Sequence, residues 1–499
     1  MGVTPFSLLF DLSKMGWAYV MLCLVVVYAC VRCAYHLLFH PLAKYPGPKL
    51  AAVSNAWYAY HWITGRYPWA IEQALQEYDI HGSHIRNKEL FVKTNFQDIG
   101  AGDGGISWEK DPVRHREVSK RLSPAFSAKS IKAKESTLQK HVDLFIDRMR
   151  TYGGQSRGVE LKTWTDWLAL DIAADLAYNR QLHQVKLMNS SELLDSINGV
   201  NFFGTMNQIM KKFPLLTPLM FLVIPVSVIR SLPRVLALNS KEVQARIERR
   251  GKTEHLDYFE QLCPEDGVVP TDKKHRAHLE QVAGQLMLAG FDPIANQFYS
   301  TIYFLTQEPQ VFSLLKKEIR DTFKNYDDIN PDGLAPLRFL HACLQETLRL
   351  HTNASFGMPR ISPGAKVDGT YVPKGVVCQI ANFAAAHSPR YFKEPRRYQP
   401  QRWLPPTHAH YDEAFRHDHL KGFWPFSQGP RMCPGRESAW VQTKLFIAKV
   451  VWSFDLEMVP GQDYDWERDM KHYSMWQKPE LFVKFIPVDG EKRREVSGL

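Results

Sequence analysis

Apolar residues recur at three- to four-residue spacing over 129–150, 164–178, 280–305, 308–325, 336–350 and 436–453, and this period predicts six helices. Strand-like runs are short, at 366–372, 376–382 and 481–486. Long helices spread along the chain with few short strands imply a fold that is mainly α with small β-sheets. One stretch departs from the amphipathic pattern: residues 15–31 carry no charge, and apolar character runs on to Phe39 around the single Arg32. A bilayer core takes about 20 helical residues, and an arginine near the end of a span reaches the headgroups, so an N-terminal transmembrane helix is expected. No small-x-small cleavage site follows it, which argues against a signal peptide. Pro41, Lys44, Pro46, Gly47 and Pro48 then form a stiff basic hinge. The chain therefore divides into a membrane anchor, 1–40, and a folded domain, 41–499. Lys44 and Lys49 after the span, against Asp11 and Lys14 before it, place that domain on the cytosolic side.

At 499 residues and 45% hydrophobic content the chain buries a substantial core, and length alone would suggest about three domains. The motifs described next run from 115 to 435 and belong together, so one catalytic domain is expected instead. The formal net charge of +10 is spread along the chain without a basic tail or nucleic-acid module, which excludes DNA or RNA binding. The seven cysteines, three of them within the first 33 residues, show neither C-x-x-C nor C-x-x-C-H spacing. That pattern excludes a zinc site or disulfide scaffold and suits a reducing compartment.

Chemistry concentrates near the C-terminus. Phe426, Gly429, Arg431, Cys433 and Gly435 complete the pattern F-x-x-G-x-R-x-C-x-G, and the cysteine opens an apolar helical segment with Ala439, Trp440, Val441, Leu445 and Phe446. The two glycines permit a close backbone approach. A helix N-terminus lowers a thiol pKa, so Cys433 is expected to be an anionic metal ligand. Phe426 is expected to shield one side of the sulfur, and Arg431 offers a fork to an anion. The pattern resembles the haem-ligand loop of the cytochrome P450 family, in which a cysteine thiolate is the proximal iron ligand and favours O–O cleavage. The resemblance implies non-covalent haem b, with Cys433 as axial ligand and Arg431 on a propionate.

Two further segments are similar to the family in the same order. Glu346 and Arg349 lie at i and i+3 on one helix, and Pro395, Tyr398, Pro400, Arg402 and Trp403 match P-x-x-F-x-P-x-R-[FW] with Tyr398 in the phenylalanine position. The resemblance implies that Glu346, Arg349 and Arg402 form a buried triad bracing the proximal haem side. Upstream, Ala289, Gly290, Phe291, Asp292 and Pro293 resemble the A-G-x-[DE]-T oxygen-activation motif. Small residues at 289 and 290 leave room for a flat ligand, and Asp292 brings an acid to it. Pro293 replaces the threonine whose hydroxyl the family uses in proton relay, and a proline here is expected to bend the helix.

By the same resemblance Arg360 and His115 contact propionates, His115 standing nine residues before Pro124 of a third-helix-like segment. Where the family often carries an arginine four residues after that histidine, this chain has Ser119. Lys120, Arg121, Lys129, Lys132 and Lys134 would steer an acidic flavoprotein, an NADPH-dependent reductase. Only residues 79–90 separate Tyr78 from Phe91, where the family holds a hairpin of its N-terminal sheet; two strands of about 5–6 residues and a turn do not fit. Phe202, Phe203, Phe213 and the apolar run 219–224 match the substrate-lid region, with Phe356, Met358, Met475 and Trp476 as candidate pocket residues. Residues 40–50 are similar to fungal microsomal members acting on terpenoids and related secondary metabolites.

The expected activity is that of an endoplasmic-reticulum monooxygenase. It would hydroxylate or epoxidise a lipophilic small molecule with O₂ and NADPH-derived electrons. Loss of the threonine leaves open a reductase-independent isomerase or dehydratase, and the shortened hairpin region a haem-binding protein without turnover.

Overall fold

A computed structural model of the chain describes residues 5–77, 91–94, 103–219, 224–367 and 369–488. Segment 79–90, where the missing hairpin was expected, lies outside them, as do 220–223 of the apolar lid run. Among the described residues the fold is mainly helical with four small antiparallel sheets. Its axis is the 35-residue helix Lys273–Gln307, capped by Asp272, whose Oδ1 accepts from the His275 amide at 3.0 Å. Leu161–Tyr178 runs against this central helix and is buried on every side, which explains its lack of a polar face. Its three buried aspartates are all satisfied: Asp166 by Lys478, Asp171 by the Gln184 and Val185 amides, Asp175 by His141 and His255.

Most sequence-predicted elements form within a few residues of expectation. Residues 129–150 divide into Ala128–Ala133 and Glu135–Tyr152, whereas 376–382 yields only the strand Val377–Cys378. Helix Pro309–Thr322 and helices Arg338–Leu350 and Arg436–Ser453 complete the core around the central helix. Phe298 of the central helix meets Phe446 of the last helix at 4.0 Å between ring centroids. The central helix is unbroken through Pro293, although proline withholds the N–H that would bond the Ala289 carbonyl.

Two sheet contacts position side chains for the site. Strands Val92–Lys93, Arg360–Ile361 and Val377–Cys378 pair antiparallel so that Lys93 faces Arg360 and Arg360 faces Cys378. A ribbon of Lys471–Tyr473 and Met475–Gln477 turns His472 inward and leaves Lys471 exposed. At the other end of the chain, helix Pro5–Ala34 continues into a π-helical turn, Tyr35–Phe39; the stretch Tyr19–Phe39 is long and apolar enough to cross a membrane and none of it is buried against the domain.

Candidate functional site

The cysteine loop is built by three local devices. Gly429 adopts φ +67°, a conformation that favours glycine, and the Met432 amide returns to its carbonyl at 3.0 Å. The Cys433 amide donates to the Phe426 carbonyl at 2.8 Å, which closes the loop, and helix Arg436–Ser453 starts directly after Gly435. Gly435 has no positive φ; a Cβ there would meet Phe126 at 3.8 Å and the Cys433 sulfur at 3.9 Å, ordinary contacts. Phe426 packs edge-on against Trp440 at 5.4 Å. Phe126 stacks on Tyr258 at 4.8 Å, and the Tyr258 hydroxyl meets Ser438 at 3.1 Å, so the third-helix segment packs against the start of the cysteine helix.

One expectation is corrected here. Burial pushes the Cys433 thiol above its ordinary range, and the Gly435 amide and Arg436 offset this only in part. At this buried helix terminus the balance of the two effects favours the thiol.

Four basic groups converge beside this loop. Lys93 lies opposite Arg360 in the sheet, and its ammonium donates to the Ser107 carbonyl. Burial, then Arg360 and Arg431, push the Lys93 ammonium down to about 7. His115 is buried, with Ser119 Oγ at 3.4 Å; burial, then Arg431 and Lys93, push its imidazole down to about 4. Among the described residues Arg360 donates only to the carbonyls of Met358 and Pro359, both at 3.1 Å. Arg431 Nη1 is buried and has no hydrogen-bond partner among the described residues, with Glu109 the acid whose charge acts on it. Mutual repulsion and an orphaned guanidinium nitrogen suit a dianion, as the paired propionates of haem would be. Lys93 escaped the sequence reading because its partners come from strand pairing with a segment far along the chain.

The remaining candidate residues lie on the central helix. Ala289 is exposed in the middle of it, while Phe291 before the next turn and residues 294–302 are buried. At Gly290 a Cβ would meet Ala173 of the neighbouring helix at 3.6 Å, an ordinary contact. Burial raises the Asp292 carboxyl to about 7, with Lys478 lowering it, Asp166 raising it and the Asn296 hydrogen bond lowering it. Asn296 Nδ2 donates to Asp292 Oδ2 at 3.1 Å and to Asn353 Oδ1 at 3.0 Å.

Behind the cysteine loop Glu346 gathers five donors: Arg349 Nε (2.9 Å) and Nη2 (2.8 Å), Arg402 Nε (3.1 Å), Trp403 Nε1 (2.8 Å) and the Gln399 amide (2.9 Å). Asp418 pairs with the other side of Arg402, a fourth ionic member that the motif spacing did not reveal. All three triad side chains have zero exposure, and although burial alone would raise it, Arg349 and then Arg402 hold the Glu346 carboxyl below its ordinary range. Glu346→Ala strands two buried guanidinium groups, and the fold should lose about 3–5 kcal/mol, read as a lowered urea midpoint at neutral pH. The carboxylate's contribution is present above its unfolded pKa and is lost as pH falls through the depressed folded value, so the difference between mutant and parent should shrink in acid.

The basic face is smaller than the sequence suggested. Lys134 is buried, bonded to Ser130 Oγ at 2.5 Å; Lys132 pairs with Asp332 at 2.8 Å; Arg121 is tied to the Leu262 carbonyl at 2.6 Å. Lys120, Arg121, Lys129 and Lys132 are exposed, so only Lys134 leaves the surface. Trp476, one of the candidate pocket residues, is a core residue whose Nε1 donates to the Thr352 carbonyl at 3.0 Å. Phe356 is likewise buried, whereas Met358 is exposed.

Comparison with known proteins agrees with this arrangement. The family described as Cytochrome P450 matches residues 73–485. Cytochrome P450 monooxygenase TwmD of Talaromyces wortmannii is 48% identical, the match covering 92% of this chain and 94% of the relative. Cytochrome P450 monooxygenase poxC of Penicillium oxalicum is 32% identical over 96% and 97%, and Cytochrome P450 monooxygenase BOA3 of Botryotinia fuckeliana 30% identical over 94% and 96%.

Proposed function

The chain belongs to the cytochrome P450 family of haem-containing monooxygenases, and we propose that it is a membrane-anchored member that oxygenates a lipophilic small molecule with electrons from NADPH. The observation that carries this reading is the pairing of Cys433 with the converging basic groups Lys93, His115, Arg360 and Arg431. In this reading Cys433 is the axial ligand and the four basic groups hold the propionates. Bound haem supplies the oxygen-activating chemistry. Ala289 leaves the distal face open, Asp292 holds a proton at Oδ1 or Oδ2 for delivery there, and the Glu346–Arg349–Arg402 triad keeps the cysteine loop in register.

The helix Pro5–Ala34 and its extension support an anchor, 1–40, in the endoplasmic-reticulum membrane with the catalytic domain, 41–499, in the cytosol. Exposed Lys120 and Lys129 are suited to an acidic flavoprotein reductase. Phe202, Phe203 and Phe213 pack with the cluster of Trp62, Tyr67 and Met206, an apolar surrounding that favours a lipophilic substrate of the terpenoid or secondary-metabolite kind. Pro293 favours a second reading, a reductase-independent isomerase or dehydratase, because the usual relay hydroxyl is missing.

Microsomes containing the full chain and a reductase, given a lipophilic extract, separate these readings. Oxygenated product with NADPH consumption is the expected outcome. Product without NADPH would transfer the assignment to the isomerase, and haem binding with no product under any condition to a non-catalytic protein.

A further inference from the structure

A short loop beside the basic cluster is fastened to the central helix by one buried glutamine. Gln285 Oε1 accepts from the Ile106 amide at 2.8 Å and from the Ser107 amide at 2.7 Å, while its Nε2 donates to the Gly104 carbonyl at 3.1 Å. A carboxamide supplies both acceptor and donor; a carboxylate or an aliphatic chain of the same length does not. His278 and Gln285 stand at i and i+7, on one face of the helix, and His278 Nδ1 lies 2.8 Å from Asp103 Oδ1. That oxygen also accepts from the Gly105 amide, at 2.8 Å.

The loop backbone is shaped for this contact. Gly105 holds φ +56°, and a Cβ there would come within 2.5 Å of Gln285 Oε1 and 2.6 Å of its Nε2, so a side chain at 105 displaces the carboxamide. Ser107 is the joint. Its amide rests on Gln285, and its carbonyl accepts from the ammonium of Lys93, whose strand pairs with Arg360. One residue thus connects the central helix to the basic cluster. Arg360 and Arg431 repel the Lys93 ammonium, and a fixed carbonyl opposes that repulsion. Water could satisfy the amides of a turn, but it would not fix where the Ser107 carbonyl stands.

We propose that Gln285 is a positioning residue for the cofactor site: by holding the Ser107 peptide it keeps the Lys93 ammonium among the groups that retain haem. The proposal rests on the reading of Lys93, His115, Arg360 and Arg431 as the propionate-binding groups. Three hydrogen bonds commit the Gln285 carboxamide to the loop, so it acts through Ser107 and not on the cofactor itself. The consequence is specific. Loosening the loop should weaken the hold on haem by about as much as losing the Lys93 ammonium, and by no more, because both changes remove the same contact.

The test follows haem transfer from the full-length, haem-loaded protein to excess apomyoglobin. Gln285→Met keeps an unbranched, helix-forming side chain and removes its polar atoms. Release should quicken about ten-fold in Gln285→Met, in Gly105→Ala and in Lys93→Met, the factor expected when a charged group loses a hydrogen bond. The resonance-Raman bending band of the propionates should shift the same way in all three, a signature that loosened packing alone does not move. Adding Gln285→Met to Lys93→Met should then change little. Should Gln285→Met take up no haem, Gly105→Ala, which leaves the glutamine in place, decides by the same two measurements. Rates that multiply in the double variant would overturn the clamp. So would a parent rate and band in Gln285→Met and Gly105→Ala while Lys93→Met releases haem faster, a result that leaves the propionate reading standing. Parent behaviour in all three variants would overturn both.

Discussion

Cys433→Ala abolishes the red-shifted Soret band of the reduced, carbon-monoxide-treated protein and leaves little bound haem. The expectation follows from the loop, where the amide bond to Phe426 and the left-handed Gly429 fix the backbone that carries the sulfur. No other cysteine is similarly placed. Cys23, Cys30 and Cys33 lie in the N-terminal helix; Cys263 is buried beside Arg250; Cys343 sits inside the triad helix, its thiol pushed well above the ordinary range by burial. Cys378 is the nearest alternative, since its strand pairs with Arg360. Survival of the band in Cys433→Ala would move the axial assignment there, and the double variant with Cys378→Ala would show it. Loss of axial ligation should also lower thermal stability in proportion to haem lost, because a tightly bound cofactor stabilises the folded state by mass action.

What the sequence made legible were features whose meaning is local. The cysteine loop is ten consecutive residues, Glu346 and Arg349 share one helical turn, and the helices carry their period within themselves. Features made by distant pairing were hidden. Lys93 becomes part of the basic cluster only because its strand lies against Arg360, and Asp418 becomes a triad partner only when its loop folds over Arg402. Charge signs misled where burial intervened: Lys134 reads as a surface lysine until Ser130 and the Tyr258 ring enclose it. The same limit applies to Cys433. Helix position lowers a thiol pKa and burial raises it, and only the fold decides which wins. Trp476 illustrates the converse, an aromatic pocket candidate whose indole N–H is committed to the Thr352 carbonyl.

Asp292→Asn lowers the rate of product formation about 10²-fold or more and diverts NADPH to hydrogen peroxide, because a general acid contributes about 10²–10⁴ to rate. The motif's missing hydroxyl makes this acid more exposed to loss than where a threonine shares the work. Ser300 and Thr301 cannot replace it, lying two helical turns on, roughly 10–12 Å along the axis. The groups acting on Asp292 are Lys478, Asp166 and Asn296, and with its carboxyl raised to about 7 the acid is protonated below that pH and ionised above it. Coupling should therefore decline as pH rises through about 7 and become insensitive to pH over that range in Asp292→Asn. Pro293→Thr tests the other half. It returns a hydroxyl and restores the N–H that the Ala289 carbonyl lacks, so coupling should rise in the variant, most clearly above neutral pH where Asp292 has lost its proton. A substrate and its deoxy analogue complete the argument. If ordered water delivers the protons to Asp292, both compounds are coupled equally in the parent enzyme. A deoxy analogue that wastes NADPH as peroxide, and is rescued by Pro293→Thr, would show that the substrate's own hydroxyl stands in for the absent threonine.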